Sequence, residues 1–126
     1  MSKENTTVLA VPSNGAGGLE AERSGHFGRC DCFTIVEIEN GEVQAVRILE
    51  NLPHTDGGCL GPVKLLASNG VTALIVAGIG GRPLAGFKDA GIDVYFDKQF
   101  PTVSQAVDAV RAGTVEVIKP EWVCGG

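Results

Sequence analysis

Long apolar runs are missing from this sequence. None approaches the ~20 residues that a membrane-spanning helix requires, and residues 1–7 are polar, without the apolar stretch of a secretory leader. The expectation is a cytoplasmic protein with no membrane partner. Basic charge is also scarce. Ten Lys and Arg stand against fifteen Asp and Glu, for a formal charge of −5, and the basic residues are scattered. Nucleic-acid binding needs a concentrated positive face, so no nucleic-acid partner is expected. Both phosphate fingerprints are absent: there is no G-x-x-x-x-G-K-[ST], and Gly78-Ile79-Gly80-Gly81-Arg82-Pro83 fails to complete G-x-G-x-x-G because position 83 is proline. Internal repeats, linkers and low-complexity segments are lacking, so the chain reads as one domain over 1–126. A chain of this size buries roughly two-thirds of its unfolded surface and needs neither metal nor disulfide to fold.

What is present in excess is glycine, 18 of 126 residues, against a usual share of about 7%. Many of these glycines fall in two loops, 13–29 and 51–61. Between the loops lies the clearest local signal: two β-rich runs, 33–39 and 42–50, flank Asn40-Gly41, the preferred type I′ hairpin turn. The short apolar runs 6–12, 72–78 and 92–96 read as buried strands. Pro62 and Pro83 open helices expected over 62–69 and 83–90, and Gly70 and Gly91 close them. Thr102 caps a third helix, with Gln105 completing a capping box; Val103, Ala106, Val107 and Val110 share its apolar face, and Gly113 ends it.

The order is β-β-β-α-β-α-β-α. Right-handed crossovers make the strands at 6–12, 72–78 and 92–96 parallel and adjacent, and the hairpin extends the sheet beyond the first of them. The expected fold is α/β, a five-stranded mixed sheet with flanking helices. Ligands of such sheets sit outside the carboxyl ends of the parallel strands. Three segments reach that edge: the loop after the first strand, Gly78-Ile79-Gly80-Gly81, and 97–102. Glycine amides and helix N-termini there favour an anion.

Four cysteines are present: Cys30, Cys32, Cys59 and Cys124. Reduced thiols in a cytosolic chain point to metal ligation, reactive thiols or buried small residues rather than disulfides. Cys30 and Cys32, one residue apart at the entry to the hairpin, direct their thiols to one face if the chain is extended there. Thiolates suit soft metals and metal–sulfur units. The spacing is not the C-x-x-C of zinc or thioredoxin-like sites, and Cys32 precedes the core-like Phe33 and Ile35, so burial as a small hydrophobe competes with ligation. His26 lies four residues before Cys30, and His54 five before Cys59.

Several segments together carry a family resemblance. They are Val8-Leu9-Ala10-Val11-Pro12-Ser13, His26-Phe27-Gly28-Arg29, Phe33-Thr34-Ile35-Val36-Glu37, Asn51 with Gly57-Gly58, Ala77-Gly78-Ile79-Gly80 and Ala90-Gly91-Ile92-Asp93-Val94-Tyr95. The sequence resembles the dinitrogenase iron–molybdenum cofactor-binding family over about residues 7–112, leaving 113–126 as a tail. The resemblance implies a ribonuclease H-like fold and the holding of a metal–sulfur cluster, either iron–molybdenum cofactor-like or another Fe, Mo or Cu sulfide, in assembly, storage or delivery. His26, Gly28, Arg29, Gly57, Gly58, Gly78 and Gly80 carry over as its cradle. The cysteines depart from the family pattern and are candidate metal ligands: Cys30, Cys32, Cys59 and Cys124. Implied partners are cluster-donor or acceptor proteins, with the chain a monomer or weak homodimer.

A nuclease, suggested by the fold alone, needs a carboxylate cluster on the central strand, and 6–12 holds no carboxylate. No catalytic constellation is found. Two alternatives stay open: a small thiol redox protein using Cys30 and Cys32, whose C-x-C disulfide is strained and easily reduced, and a structural zinc protein using the cysteines with or without His26.

Overall fold

A computed structural model describes residues 6–24, 31–50, 60–76, 81–96, 102–113 and 116–117. Its centre is β1 (Thr6–Ser13), an apolar strand whose residues Leu9, Ala10 and Val11 are fully buried. A strand covered on both faces must be apolar at successive positions rather than alternate positions, which is what Val8-Leu9-Ala10-Val11 supplies. β1 pairs antiparallel with β2 (Cys32–Glu39) and parallel with β4 (Ala73–Val76). β3 (Glu42–Glu50) lies outside β2, and β5 (Asp93–Phe96) runs parallel outside β4. The five expected strands thus form one mixed open sheet. A two-residue strand, β6 (Glu116–Val117), adds antiparallel to β5 and makes the order β3-β2-β1-β4-β5-β6. The expected five-stranded sheet did not include it, although the tail from Val115 reads as holding a short β-like piece; pairing with the edge of β5 makes that piece a sixth strand.

The hairpin turn sits at Asn40-Gly41 as expected, with φ of 55° and 81°. Asn40 is the only non-glycine residue with positive φ among the described residues, and asparagine tolerates the left-handed region better than most. A one-residue register shift between Glu37 and Ile38 leaves Gln44 unpaired, a β-bulge in β3.

Three helices follow: α1 (Leu60–Ser68), α2 (Gly81–Asp89) and α3 (Val103–Ala112). α1 and α2 begin two residues before Pro62 and Pro83 rather than at them. The first turn of a helix has no intrahelical acceptor for its N–H groups, so proline fits its third position as well as its first. Thr102 is the N-cap of α3 and accepts a hydrogen bond from the Gln105 amide at 3.3 Å, and Gly113 is its left-handed C-cap.

The sheet separates two cores. On one face, Ala10, Phe33, Ile35, Leu74, Val76 and Val94 meet Leu66 of α1 and Leu84 and Phe87 of α2. On the other, Leu9, Val11, Val36, Ile38, Ala73 and Ile75 meet Val103, Ala106 and Val107 of α3. The two-residue period of the strands sorts neighbours such as Leu9 and Ala10 into opposite cores. Two bonds fasten the far ends of the chain to this frame. Thr72 Oγ1 accepts from the Val8 amide at 2.9 Å, and Arg111 Nε donates to the Gly41 carbonyl at 2.7 Å. No helix among the described residues is long and apolar enough to cross a membrane.

The turn makes a direct stability prediction. A Cβ at Gly41 would meet nothing within 4 Å, so Gly41→Ala should cost only its backbone strain, about 1–2 kcal/mol. The unfolding free energy should fall by that amount, read as a lower urea midpoint at unchanged slope, whereas Asn40→Gly should leave the midpoint nearly in place.

Candidate functional site

Four strands end on one edge of the sheet. β1 ends at Ser13, in register with Cys32, which is in register with Glu50 at the end of β3. β4 and β5 end side by side at Val76 and Phe96. β3 is parallel to β1 because both oppose β2, so it also delivers its carboxyl end here. The connections 14–31, 51–59, 77–80 and 97–101 therefore all leave from this edge. Between them they contain every expected site residue except Cys32, which opens β2, and Cys124.

Of those residues only Cys32 is described. His26, Gly28, Arg29 and Cys30 fall in 25–30, Gly57, Gly58 and Cys59 in 51–59, and Gly78 and Gly80 in 77–80; these and Cys124 lie outside the described residues. The stems of the first segment, however, are defined. Ser24 donates its amide to the Pro12 carbonyl at 2.8 Å, and Asp31 donates its amide to the Ser13 carbonyl at 3.1 Å. The segment bearing the His-Phe-Gly-Arg motif thus leaves from and returns to the last two residues of the central strand.

Residues 14–24 fold back over the α3 side of the sheet. Asn14 donates its amide to Glu22 O at 3.0 Å, and bridges join Ser13 to Arg23 and Glu22 to Thr102. Beyond them the loop reaches α3: the Val103 amide donates to Ala21 O at 3.0 Å and the Ser104 amide to Leu19 O at 2.8 Å. With the Gln105 amide on the Thr102 hydroxyl, the first turn of α3 has its donors satisfied within the protein. The expectation that this N-terminus helps to bind an anion is corrected: loop carbonyls already occupy it. Residue types carry no signal of this, because the contacts are made by backbone oxygens.

Beneath residues 15–18 lies a polar corner that the sequence reading did not single out. Ser13 and Thr34 are fully buried. The Ser13 hydroxyl donates to Val11 O at 2.7 Å and lies 2.8 Å from the Thr34 hydroxyl, which accepts from the Gly18 amide at 3.0 Å. Each hydroxyl has one proton, so the direction is fixed: Gly18 N–H to Thr34, Thr34 O–H to Ser13, Ser13 O–H to Val11 O. The only available sequence signal is a hydroxyl interrupting an otherwise apolar strand at each position.

Cys32 completes the corner. It is 3% exposed, and its thiol donates to the Gly15 carbonyl at 3.6 Å. Burial pushes this thiol up from its ordinary value, and the neighbouring Asp31 and Glu50 carboxylates push it further in the same direction. At neutral pH it is a protonated, covered thiol. Among the described residues, no three His, Cys, Asp or Glu side chains are grouped so as to hold a metal ion.

The fold is thus a three-layered α/β domain with the glycine- and cysteine-bearing connections leaving from one edge of its sheet. Residues 7–113 match the family described as dinitrogenase iron–molybdenum cofactor, and the chain belongs to that family. It is 47% identical over 74 residues to an uncharacterized protein, MJ0580, of Methanocaldococcus jannaschii, a match covering 57% of this chain and 63% of that protein. Its structure is similar to the apo form of the orange protein from Desulfovibrio gigas, with a TM-score of 0.76 and 26% identity over 89% of this chain and 92% of that one. It is also similar to a NifB-like protein from Thermotoga, with a TM-score of 0.71 and 32% identity over 88% and 92% of the two chains.

The raised Cys32 thiol has a consequence for stability. Between the pKa of an unfolded thiol, ~8.5, and the higher folded value, the unfolded chain has released a proton that the folded chain keeps. Stability therefore falls as pH rises through this window and is fully present below it. The melting temperature of wild-type protein should accordingly drop between pH 8 and 10 by more than that of Cys32→Ala; parallel curves would show an unshifted thiol.

Proposed function

We propose that this protein holds a metal–sulfur cluster as cargo, of the iron–molybdenum cofactor type or a related Fe, Mo or Cu sulfide, and passes it between donor and acceptor proteins without converting it. Family membership supports the cargo class. The observation that carries the reading to this chain is the convergence of the loop stems: the segments bearing His26, Gly28, Arg29 and Cys30, then Gly57, Gly58 and Cys59, then Gly78 and Gly80, all start from one edge of one sheet. In this reading Arg29 attracts a polyanionic sulfide, glycine amides cradle it, Cys30 and Cys59 supply thiolates, and His26 is a further candidate ligand. The fold is ribonuclease H-like, the chain works as a monomer or weak homodimer, and its thiols are kept reduced in the cytoplasm.

A redox couple of Cys30 and Cys32 is the weaker reading. Attack on a disulfide requires a thiolate, and the Cys32 thiol is pushed the other way.

Protein purified without air should show visible absorption and stoichiometric Fe, Mo or Cu. A colourless, metal-free product that also takes up nothing on reconstitution would overturn the proposal. Charge and ligation separate by substitution. Arg29→Ala should weaken binding by about 10- to 100-fold at low ionic strength, and by less in high salt, with the band shape kept. Cys30→Ser should change the band itself, because the sulfur-to-metal charge-transfer contribution is lost. An unchanged spectrum in Cys30→Ser would remove Cys30 from the ligand set.

A further inference from the structure

The two faces of the sheet are covered unequally. Among the described residues, one face carries two helices, α1 and α2, and the other carries α3 alone. A helix is about 10 Å across and strands lie about 4.8 Å apart, so one helix shields roughly two strands. α3 packs on β1, β2 and β4, and of β3 only Val43 reaches the core beneath it.

The register of the hairpin shows what is left uncovered. Cys32, Thr34 and Val36 pair with Glu50, Ile48 and Val46. Directly paired residues share a face of the sheet, and Val36 lies in the α3 core. Val46, Ile48 and Glu50 therefore project on the α3 side, whereas Arg47, paired with Ile35 of the other core, projects away from it. Val46 and Ile48 are the large apolar side chains that stay exposed among the described residues. They floor a groove beside α3. At the carboxyl end of β3 the Gly17 backbone bounds it, where a Cβ would stand 3.0 Å from Ile48 Cδ1. At the hairpin turn Arg111 bounds it, reaching from α3 to the Gly41 carbonyl at 2.7 Å. The floor from Val43 to Glu50 spans about 23 Å, the length of a helix of about 15 residues.

The rim charge is one-sided. Asp31 and Glu50 are both exposed, and both stand near enough to Cys32 to raise its thiol. Asp108 is exposed on α3 and lies 3.2 Å from Arg111, which also donates to Gly41. A second copy of the chain fits this face poorly. Two β3 strands paired antiparallel about Val46 would set Glu42 against Glu50 at both ends, and each chain brings a charge of −5. A segment with basic flanks meets no such repulsion.

We propose that this groove docks an amphipathic helix of a partner protein, with its apolar face on Val46 and Ile48 and its Lys or Arg flanks towards Glu50, Asp31 and Asp108. The docked helix completes the layer that α3 begins, lying beside it at the usual interaxial distance of about 8–10 Å. The proposal goes beyond cargo binding and stands without it.

The test uses isotope-labelled full-length protein and a Leu/Lys peptide of about five helical turns whose order puts Leu on one face. A peptide of the same composition, reordered to have no apolar face, is the control. Only the first should bind saturably, with amide shifts clustered at residues 43–50 and along α3. Val46→Ser combined with Ile48→Ser should weaken it by about tenfold, because the floor loses its apolar area. Glu50→Lys should weaken it several-fold at low ionic strength and little in high salt; this variant decides the matter if the double variant loses its native spectrum. Ala67→Ser, exposed on α1 across the sheet, should change nothing. Equal binding of the two peptides, shifts centred elsewhere, or wild-type affinity in the folded groove variants overturns the proposal. Sedimentation examines the other occupant. A wild-type dimer that Val46→Ser with Ile48→Ser abolishes would assign the face to a second copy and overturn the proposal as well.

Discussion

β1 is hydrogen-bonded along both of its sides, antiparallel to β2 and parallel to β4, and the rest of the molecule is arranged around that double pairing. A strand so placed has no solvent face, so its side chains must feed two cores at once, with Ala10 in one and Leu9 and Val11 in the other. The parallel partner requires a crossover from one end of the sheet to the other, which α1 provides. The antiparallel partner requires the chain to turn back at Ser13, and the connection that does so is the one bearing His26-Phe27-Gly28-Arg29. The carboxyl end of β1 is thus both the last residue of the core and the first of the site.

That position explains the polar pair found there. Ser13 and Thr34 face each other where the sheet runs out of apolar cover, and a buried hydroxyl is tolerated only with its partners in place. The pair connects a loop amide at Gly18 to the Val11 carbonyl of the central strand. The two cysteines of the C-x-C are therefore not equivalent. Cys32 belongs to β2 and to this sealed corner, while Cys30 lies in the segment whose stems the corner supports.

The fold was legible in the sequence where short-range chemistry decides it. Asn40-Gly41 specified the hairpin because few residue pairs tolerate two successive positive φ values; Thr102 and Gln105 specified the start of α3; and the alternation of short apolar runs with helical patterns specified the strand order. Features decided by partners far along the chain were not legible. The starts of α1 and α2 depend on where the preceding loops release the chain, β6 exists only because β5 offers an edge, and the first amides of α3 are met by carbonyls over eighty residues earlier. The candidate site divides in the same way. Its motif residues lie outside the described residues, whereas the Ser13–Thr34 pair and the Cys32 contact with Gly15 arise only when β1 and β2 stand side by side.

The outer strand of the hairpin has a consequence for behaviour in concentrated solution. Among the described residues, β3 is nine residues long and ends the sheet, with Val46 and Ile48 39% and 45% exposed. A free edge of this kind is a template onto which another extended chain can add, the first step towards fibrils. The strand carries its own gatekeepers. The bulge at Gln44 breaks the straight run of outward amides, Glu42 and Glu50 place like charge at both ends, and Arg47 stands between the two exposed apolar residues, held to Glu37 Oε2 at 3.7 Å and to the Asn69 carbonyl at 2.9 Å. These guards let a long apolar edge stay single-file while its inner side completes the sheet.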